Sequence, residues 1–537
     1  MARDPNVFEQ PDAGTVTHDE PPPSLQHLGR GGAGDRAFFG HPRGLSTLFF
    51  TEMWERFSYY GIRPLLVLFM TAALASGGFG FDRPTATSIV GIYAASVYLA
   101  SLPGGWVADR ILGLRRSIWY GAILIALGHL AIGLSAVFAR PVFFLGLILI
   151  VLGTGLLKPN ISAIVGDLYP EGGARRDAGF SIFYMGINSG AVAGQLLTGL
   201  LGETIGWHWG FGIAGVGMLI GLVWFWLSAP RTLGNLGEDI SRDPDPVKQA
   251  RQERLMKLAL AIGLALLVLV IVLAAMGALQ LNPQTIGENM TYVLVGMAVL
   301  YFAYVFGFGG LNREEKKRVL VIAILFFFAA IFWAGFEQAP TSLNLFARDF
   351  TQRVYFGWTI PAIWFQVINS LFIVLLAPLF AALWMTLGKR DSNPSSPVKF
   401  SLGLLFAGLG FAVMIPAANL VVGSGGALKV SPMWLTVSYI LQTIGELLLS
   451  PVGLSTMTKL SPRKYVGQMM GIWFLATSVG NLIAGLVGGN VDPEKLEQMP
   501  KLFIGTTLAL IAAAILLALL TPFIRKLIPN ENKLTGE

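Results

Sequence analysis

Long apolar stretches succeed one another along almost the whole chain, each of roughly 20 residues or more and so able to cross a bilayer core as a helix. About fourteen can be counted, and they restrict the chain to an all-α polytopic membrane protein. Composition agrees: 54% of the residues are hydrophobic and 13% charged, against about a quarter charged in soluble domains. The formal charge of +7 does not point to nucleic acid, because the basic residues sit in short loops between apolar spans. Arg110, Arg115 and Arg116 follow the second span, Arg175 and Arg176 the fourth, and Lys389 with Arg390 and Arg463 with Lys464 follow two later ones. By the positive-inside rule these loops, and with them both termini, are expected in the cytoplasm of a chain that crosses the cell (inner or plasma) membrane many times. Cysteine is absent, which excludes disulfide scaffolds and Cys-ligated metal sites.

The first six spans begin near Leu45, Thr85, Ser117, Val142, Ala178 and Trp209 and fill residues 45–229 as one helical bundle. A polar linker with Asp243, Pro244, Asp245 and Pro246 leads to two uncharged helices near 258–279 and 292–310, so that linker and pair occupy 230–315. Six more spans, from near Val319, Trp358, Phe400, Pro432, Gln468 and Phe503, fill 316–527. Residues 1–44 are polar and lack the apolar core and cleavage site of a signal peptide; they are expected to form a disordered cytoplasmic tail, and 528–537 a second one. Six plus two plus six suggests two homologous halves with an inserted hairpin. Pro159 and Pro170 at the end of the fourth span recur with the same separation as Pro451 and Pro462 in the tenth. Duplicated halves with a substrate site at their interface are a common plan for secondary transporters.

An ionisable group at mid-membrane costs roughly 2.5 to 3.5 kcal/mol on insertion scales, so each one present is a candidate for function. Glu52, Glu55, Arg56, Tyr59, Tyr60 and Arg63 in the first span are spaced by threes and fours, forming one stripe that must face the bundle interior. Lys158 precedes Pro159, Glu337 lies in the seventh span of the main set, and Glu446 comes one turn before Ser450-Pro451. The proline repeat aligns Lys158 with Ser450, so Lys158 and Glu446 are expected to face each other across a central cavity. Ion pairs kept only for helix packing are the plainer reading, but both signs, on several spans with polar and aromatic neighbours, favour a ligand path. His129, alone in the third span, reads as a satisfied helix-contact histidine.

The loop Gly105-Trp-Val-Ala-Asp109-Arg110-Ile-Leu-Gly113-Leu-Arg115-Arg116 resembles the signature loop of the major facilitator superfamily, whose charges tie neighbouring helices together. Phe49-Phe-Thr-Glu52-Met-Trp-Glu55-Arg56-Phe57-Ser-Tyr59-Tyr60-Gly61 is similar to a motif of one of its members, the proton-dependent oligopeptide transporter family. The same resemblance is carried by Gly155-Leu-Leu-Lys158-Pro159-Asn160, Phe183-Tyr184-Met-Gly-Ile-Asn188-Ser-Gly190, Phe332-Trp333-Ala-Gly-Phe-Glu337-Gln338 and Gly445-Glu446-Leu-Leu-Leu-Ser450-Pro451. It implies the major facilitator fold, two six-helix bundles plus an inserted pair as in bacterial members, and symport of di- and tripeptides with protons. Departures exist: Gly190 is followed by Ala191-Val192, Asn369 by Ser370, and the second span has no histidine that could relay protons.

A short peptide of any sequence is a zwitterion, so a tolerant site clamps its ends. Charge, and the resemblance, assign Arg56 and Lys158 to the peptide carboxylate and Glu446 to its amine. Tyr59 belongs to the same stripe, and Tyr60, Tyr98, Asn188, Trp333, Asn369 and Trp473 match pocket positions of the family. Glu337 is the main candidate for proton coupling, and the resemblance implies that Arg63 pairs with it until protonation releases it; Glu52 and Glu55 are expected to carry a second step by controlling whether Lys158 is free. No cofactor beyond the proton gradient, no metal and no enzymatic reaction is expected, and a monomer suffices. The alternatives are a related carrier for nitrate or another small solute, and a peptide sensor that does not transport.

Overall fold

In hydrocarbon a backbone must satisfy its own hydrogen bonds, so each apolar stretch closes into a helix and the chain turns where polar, Gly and Pro residues allow it. The computed structural model describes residues 35–527 except 139, 171–172, 239, 241–245, 391, 393 and 463–464. Residues 1–34 of the expected N-terminal tail, the C-terminal tail, Asp243, Pro244 and Asp245 of the linker, and the basic pair at 463–464 lie outside the described residues.

The first six helices are α1 (Arg43–Thr71), α2 (Arg83–Val107), α3 (Leu114–Leu134), α4 (Arg140–Asp167), α5 (Gly173–Thr204) and α6 (Trp207–Thr232). The hairpin follows as α7 (Pro246–Ala275) and α8 (Pro283–Phe308). The remainder is α9 (Arg313–Phe336), the short α10 (Asn344–Phe350), α11 (Trp364–Gly388), α12 (Ser396–Gly423), α13 (Met433–Leu460), α14 (Val466–Gly488) and α15 (Gln498–Leu527). Polar caps start several of them: Asp82 accepts from the Thr85 N–H at 2.8 Å, and Asn312 and Glu315 form a reciprocal capping box at α9. The span expected from Trp358 starts later. Residues β1 (Val354–Tyr355) and β2 (Trp358–Thr359) pair as an antiparallel hairpin, turned by Phe356 and Gly357 with φ of 52° and 78°.

Among the described residues twelve helices are long and apolar enough to cross a membrane. The other two, α1 and α5, are as long but more polar, and they pack against each other, with α6 also on α1. The first bundle comprises α1 to α6 and the second α9 and α11 to α15; α8 leans on α14 and α2. Fourteen long helices running back and forth put the start of α1 and the end of α15 on one face, here the terminal face; the opposite one is the far face.

Glycines set the closest crossings. A Cβ on Gly121 would lie 2.6 Å from the Gly153 carbonyl oxygen, and one on Gly146 would lie 2.6 Å from that of Gly128, so α3 and α4 approach backbone to backbone. The second bundle repeats this: Gly403 and Gly445 face each other across α12 and α13, and Gly410 lies on the Ser438 carbonyl. The displacement that takes Pro159 to Pro451 also takes Gly153 to Gly445 and Gly146 to Ser438. The duplication read from two pairs of prolines therefore has a counterpart in the helix contacts. Substituting Gly121→Val is expected to wedge α3 off α4 at a cost of about 1 to 3 kcal/mol, seen as a lowered melting midpoint in detergent. An unchanged melt would show that the crossing has slack.

The halves meet toward the far face. There α2 packs on α14, α5 on α11, and α1 on the turn Ala339–Leu343 and on α10. A Cβ on Gly91 of α2 would lie 2.8 Å from the Gly485 Cα of α14. Arg83 adds an ion pair with Asp349 at 2.7 Å and a hydrogen bond to the Val491 carbonyl at 2.7 Å. On the terminal face Arg115 binds Glu238 at 2.6 Å and the Gly234 carbonyl at 2.7 Å, fastening the start of α3 to the segment after α6.

Candidate functional site

A helix as polar as α1 persists in a membrane only if neighbours enclose it. Gly190 and Gly194 of α5 bring their backbone against Met53 and Phe57, Gly217 and Gly221 of α6 accept Phe57 and Trp54, and Thr198 donates to the Gly61 carbonyl at 2.9 Å. Enclosed in this way, Glu52, Glu55 and Arg56 are each no more than 2% exposed. Arg56 Nε lies 2.9 Å from Glu52 Oε1 and 2.6 Å from Glu55 Oε2. The Nε geometry is that of charge contacts rather than aligned hydrogen bonds, and Arg56 Nη2 has no hydrogen-bond partner among the described residues. The guanidinium also lies 5.3 Å from the ring centre of Tyr59 and 5.9 Å from that of Tyr60.

From α4, Thr154 reaches Glu55 Oε1 at 3.4 Å. One turn on, Lys158 Nζ sits 4.1 Å above the ring of Tyr98 on α2. Among the described residues no carboxylate lies within 4.0 Å of this ammonium. Lys158 and Glu446 are therefore not paired directly.

Glu337 occupies the point where α9 stops. Pro340 lies in the wider turn Ala339–Leu343 that separates α9 from α10, so the carboxylate projects from a broken helix. Arg63 forms a buried ion pair with Glu337, linking the two halves. The same Nη2 donates to Asn481 Oδ1 of α14 at 2.6 Å, and Asn344 of α10 donates to the Pro64 carbonyl at 2.8 Å. Asn481 and Asn344 complete this junction, and the sequence reading passed over both; an Asn amid an apolar span was the available signal for Asn481.

In the second half Asn369 of α11 donates to Glu446 Oε2 and meets the Thr443 hydroxyl, both at 3.0 Å. Asn188 donates to the Tyr184 carbonyl at 3.0 Å. Trp333 stacks edge-on against Phe332 and Phe336 and lies on Gly480. Trp473 is wedged onto Gly453 and packs 6.2 Å from Phe400. Tyr59 and Tyr93 hydroxyls, Trp333 Nε1 and Ser450 Oγ are buried without hydrogen-bond partners among the described residues. His129 does pack between helices, against Gly215 of α6, but neither ring nitrogen has a partner among the described residues, so it is a contact histidine without being a satisfied one. Among the described residues no cluster of His, Asp or Glu could hold a metal ion.

The chain as a whole has relatives among known proteins. A profile of the POT family matches residues 115–499. The chain is similar to the peptide transporter YePEPT of Yersinia enterocolitica subsp. palearctica, with 51% identity over 93% of this chain and 98% of the relative. It is also similar to the di-/tripeptide transporter of Lactococcus lactis subsp. cremoris, at 40% identity over 84% of this chain and 89% of the relative. Among solved structures, the peptide transporter POT in complex with sulfate matches with a TM-score of 0.84 and 41% identity, over 92% of this chain and 97% of that one.

Proposed function

This chain is a membrane peptide transporter belonging to the POT family, and from that premise we propose that it imports di- and tripeptides, drawn by inward proton flow, through alternating access. The bundles at 45–229 and 316–527 rock about a site between them, as a monomer without a bound cofactor, in the cell membrane with the terminal face in the cytoplasm. Arg56 and Lys158 take the peptide carboxylate and Glu446 its amine, while Tyr59, Tyr60, Tyr98, Asn188, Trp333, Asn369 and Trp473 border the side chains.

The observation that carries this reading is the company Glu446 keeps. Its carboxylate is held by the neutral amide of Asn369, with no cation at ion-pair distance among the described residues. A partly buried carboxylate in that setting is incomplete until a cation arrives. With two cations, Arg56 and Lys158, on the opposite half, the ligand that fits is a zwitterion. Nitrate offers nothing to Glu446. Proton coupling is assigned to Glu337, whose protonation weakens its hold on Arg63. Glu52 and Glu55 both attend Arg56 in this conformation while Lys158 rests on Tyr98, which suits a second step in which these glutamates regulate Lys158.

A labelled dipeptide presented to proteoliposomes is expected to accumulate above its outside concentration under an inward proton gradient, and to leak back when a protonophore is added. Nitrate uptake without peptide uptake would replace peptide with nitrate in this reading, and peptide binding without any uptake would make the chain a sensor.

A further inference from the structure

A helix leaves its first backbone N–H groups without partners inside the helix, and a side chain near the N-terminus normally supplies them. For α11 none does so locally: Ile363 at the cap position offers no side-chain hydrogen bond. The N–H groups of Trp364, Phe365 and Gln366 turn back onto the carbonyls of Pro361, Ala362 and Ile363, and the two N–H groups just ahead of them, at the cap and the residue before it, are met from the other half of the molecule. Glu203, at the far-face end of α5, accepts the N–H of Ala362 on Oε2 at 2.9 Å and that of Ile363 on Oε1 at 3.2 Å. The same Oε2 accepts from Arg353 Nη1 at 3.2 Å. Arg353 is aimed by its own surroundings, donating to the Ile360 carbonyl at 2.6 Å and the Arg348 carbonyl at 3.3 Å across the base of the β1–β2 hairpin. Beside this cluster Trp364 donates its indole N–H to the Leu196 carbonyl at 3.0 Å, and Gly199 lets Ile363 and Trp364 lie against α5.

We propose that Glu203 is a latch between the halves, a carboxylate of the first bundle that caps α11 and pairs with Arg353 of the second only while the far face is closed. When the halves part, the carboxylate leaves two backbone N–H groups and a guanidinium together, so the cluster breaks as a unit. That sets it apart from the Arg63–Glu337 pair: the latch ties α5 to α11 near the surface and includes backbone donors that no change of protonation can remove. It acts on the transport cycle by setting how much time the far face stays shut. The inference rests on the alternating-access reading, but not on which solute moves or on proton coupling.

The absence of cysteine from the chain makes the test direct. Thr87 is fully buried in the seam between α2 and α14, beside Gly488. A single reporter, Thr87→Cys, is reacted with a water-soluble maleimide in detergent, so that neither substrate nor membrane orientation enters. Glu203→Ala is expected to raise its labelling rate about tenfold, Arg353→Ala less, and the pair of substitutions no more than Glu203→Ala alone. A second reporter, Ala122→Cys, fully buried within the first bundle, is expected to stay unreactive in every variant. The inference is overturned by an unchanged labelling rate at Thr87→Cys, or by a parallel rise at Ala122→Cys, which would make Glu203 a support of the fold instead of a latch. Loss of dipeptide uptake with unaltered labelling counts against the latch and leaves the transport assignment standing. Faster labelling in a chain that moves no peptide does the reverse.

Discussion

Glu337→Gln is expected to reduce the steady accumulation of dipeptide under a proton gradient to equilibration, an inside-to-outside ratio of about one, while peptide still exchanges across the membrane. The glutamine keeps the size of the side chain at the end of α9, where the native carboxylate is 5% exposed, and it can still accept from Arg63. What it loses is charge. A hydrogen bond to a charged group contributes about 1.5 to 3 kcal/mol, and a neutral one about 1, so the variant resembles a permanently protonated transporter. Asn481, which accepts from Arg63 independently of Glu337, prevents the arginine from being stranded and keeps the variant foldable. Counterflow of labelled peptide separates the two functions: persistent exchange with no uphill uptake is the expected pattern, and undiminished accumulation by Glu337→Gln would remove this residue from the proton path.

The second large effect is one of selectivity. Glu446→Gln retains the hydrogen bond from Asn369 and the helix around it but no longer presents an anion. Affinity for a free dipeptide is expected to fall roughly tenfold to a hundredfold, the worth of one charge-assisted contact, while that for the same dipeptide with an acetylated amine barely changes. Competition against a labelled substrate reads both. Equal losses for the two ligands would show that Glu446 holds the pocket together and does not recognise an amine.

The sequence announces those two residues because charge inside an apolar span has almost no other use. Duplication was legible for a similar reason, since Pro159 and Pro451 interrupt otherwise featureless helices. Other parts were written in letters with a second meaning. Glu203, Arg83, Asp349 and Arg353 sit near the ends of spans, where charges ordinarily mark topology, and only the fold brings Glu203 to Arg353 and Arg83 to Asp349. Trp358 and its neighbours looked like the start of a span because a small aromatic hairpin at a membrane edge uses the same residues as a helix would. Asn481 carries a weaker version of the signal that marks Glu337: an amide inside an apolar span is tolerated far more readily than a charge, so it stands out less.

The inserted hairpin is fastened unevenly. Near the terminal face α8 and its end are tied to the second half, with the Tyr301 hydroxyl on Gln468 at 3.0 Å and the Tyr465 hydroxyl on the Gly309 carbonyl at 3.1 Å. Toward the far face Gly287 merely rests between Leu486 of α14 and Ile92 of α2. In the rocking cycle proposed above, an outrigger mounted in this way would travel with one half and slide over the other, so that each stroke would change the outline that the protein presents to the surrounding lipid. Acyl chains would then flow into and out of the wedge beside α2, making the thickness and lateral pressure of the bilayer a load on that cycle.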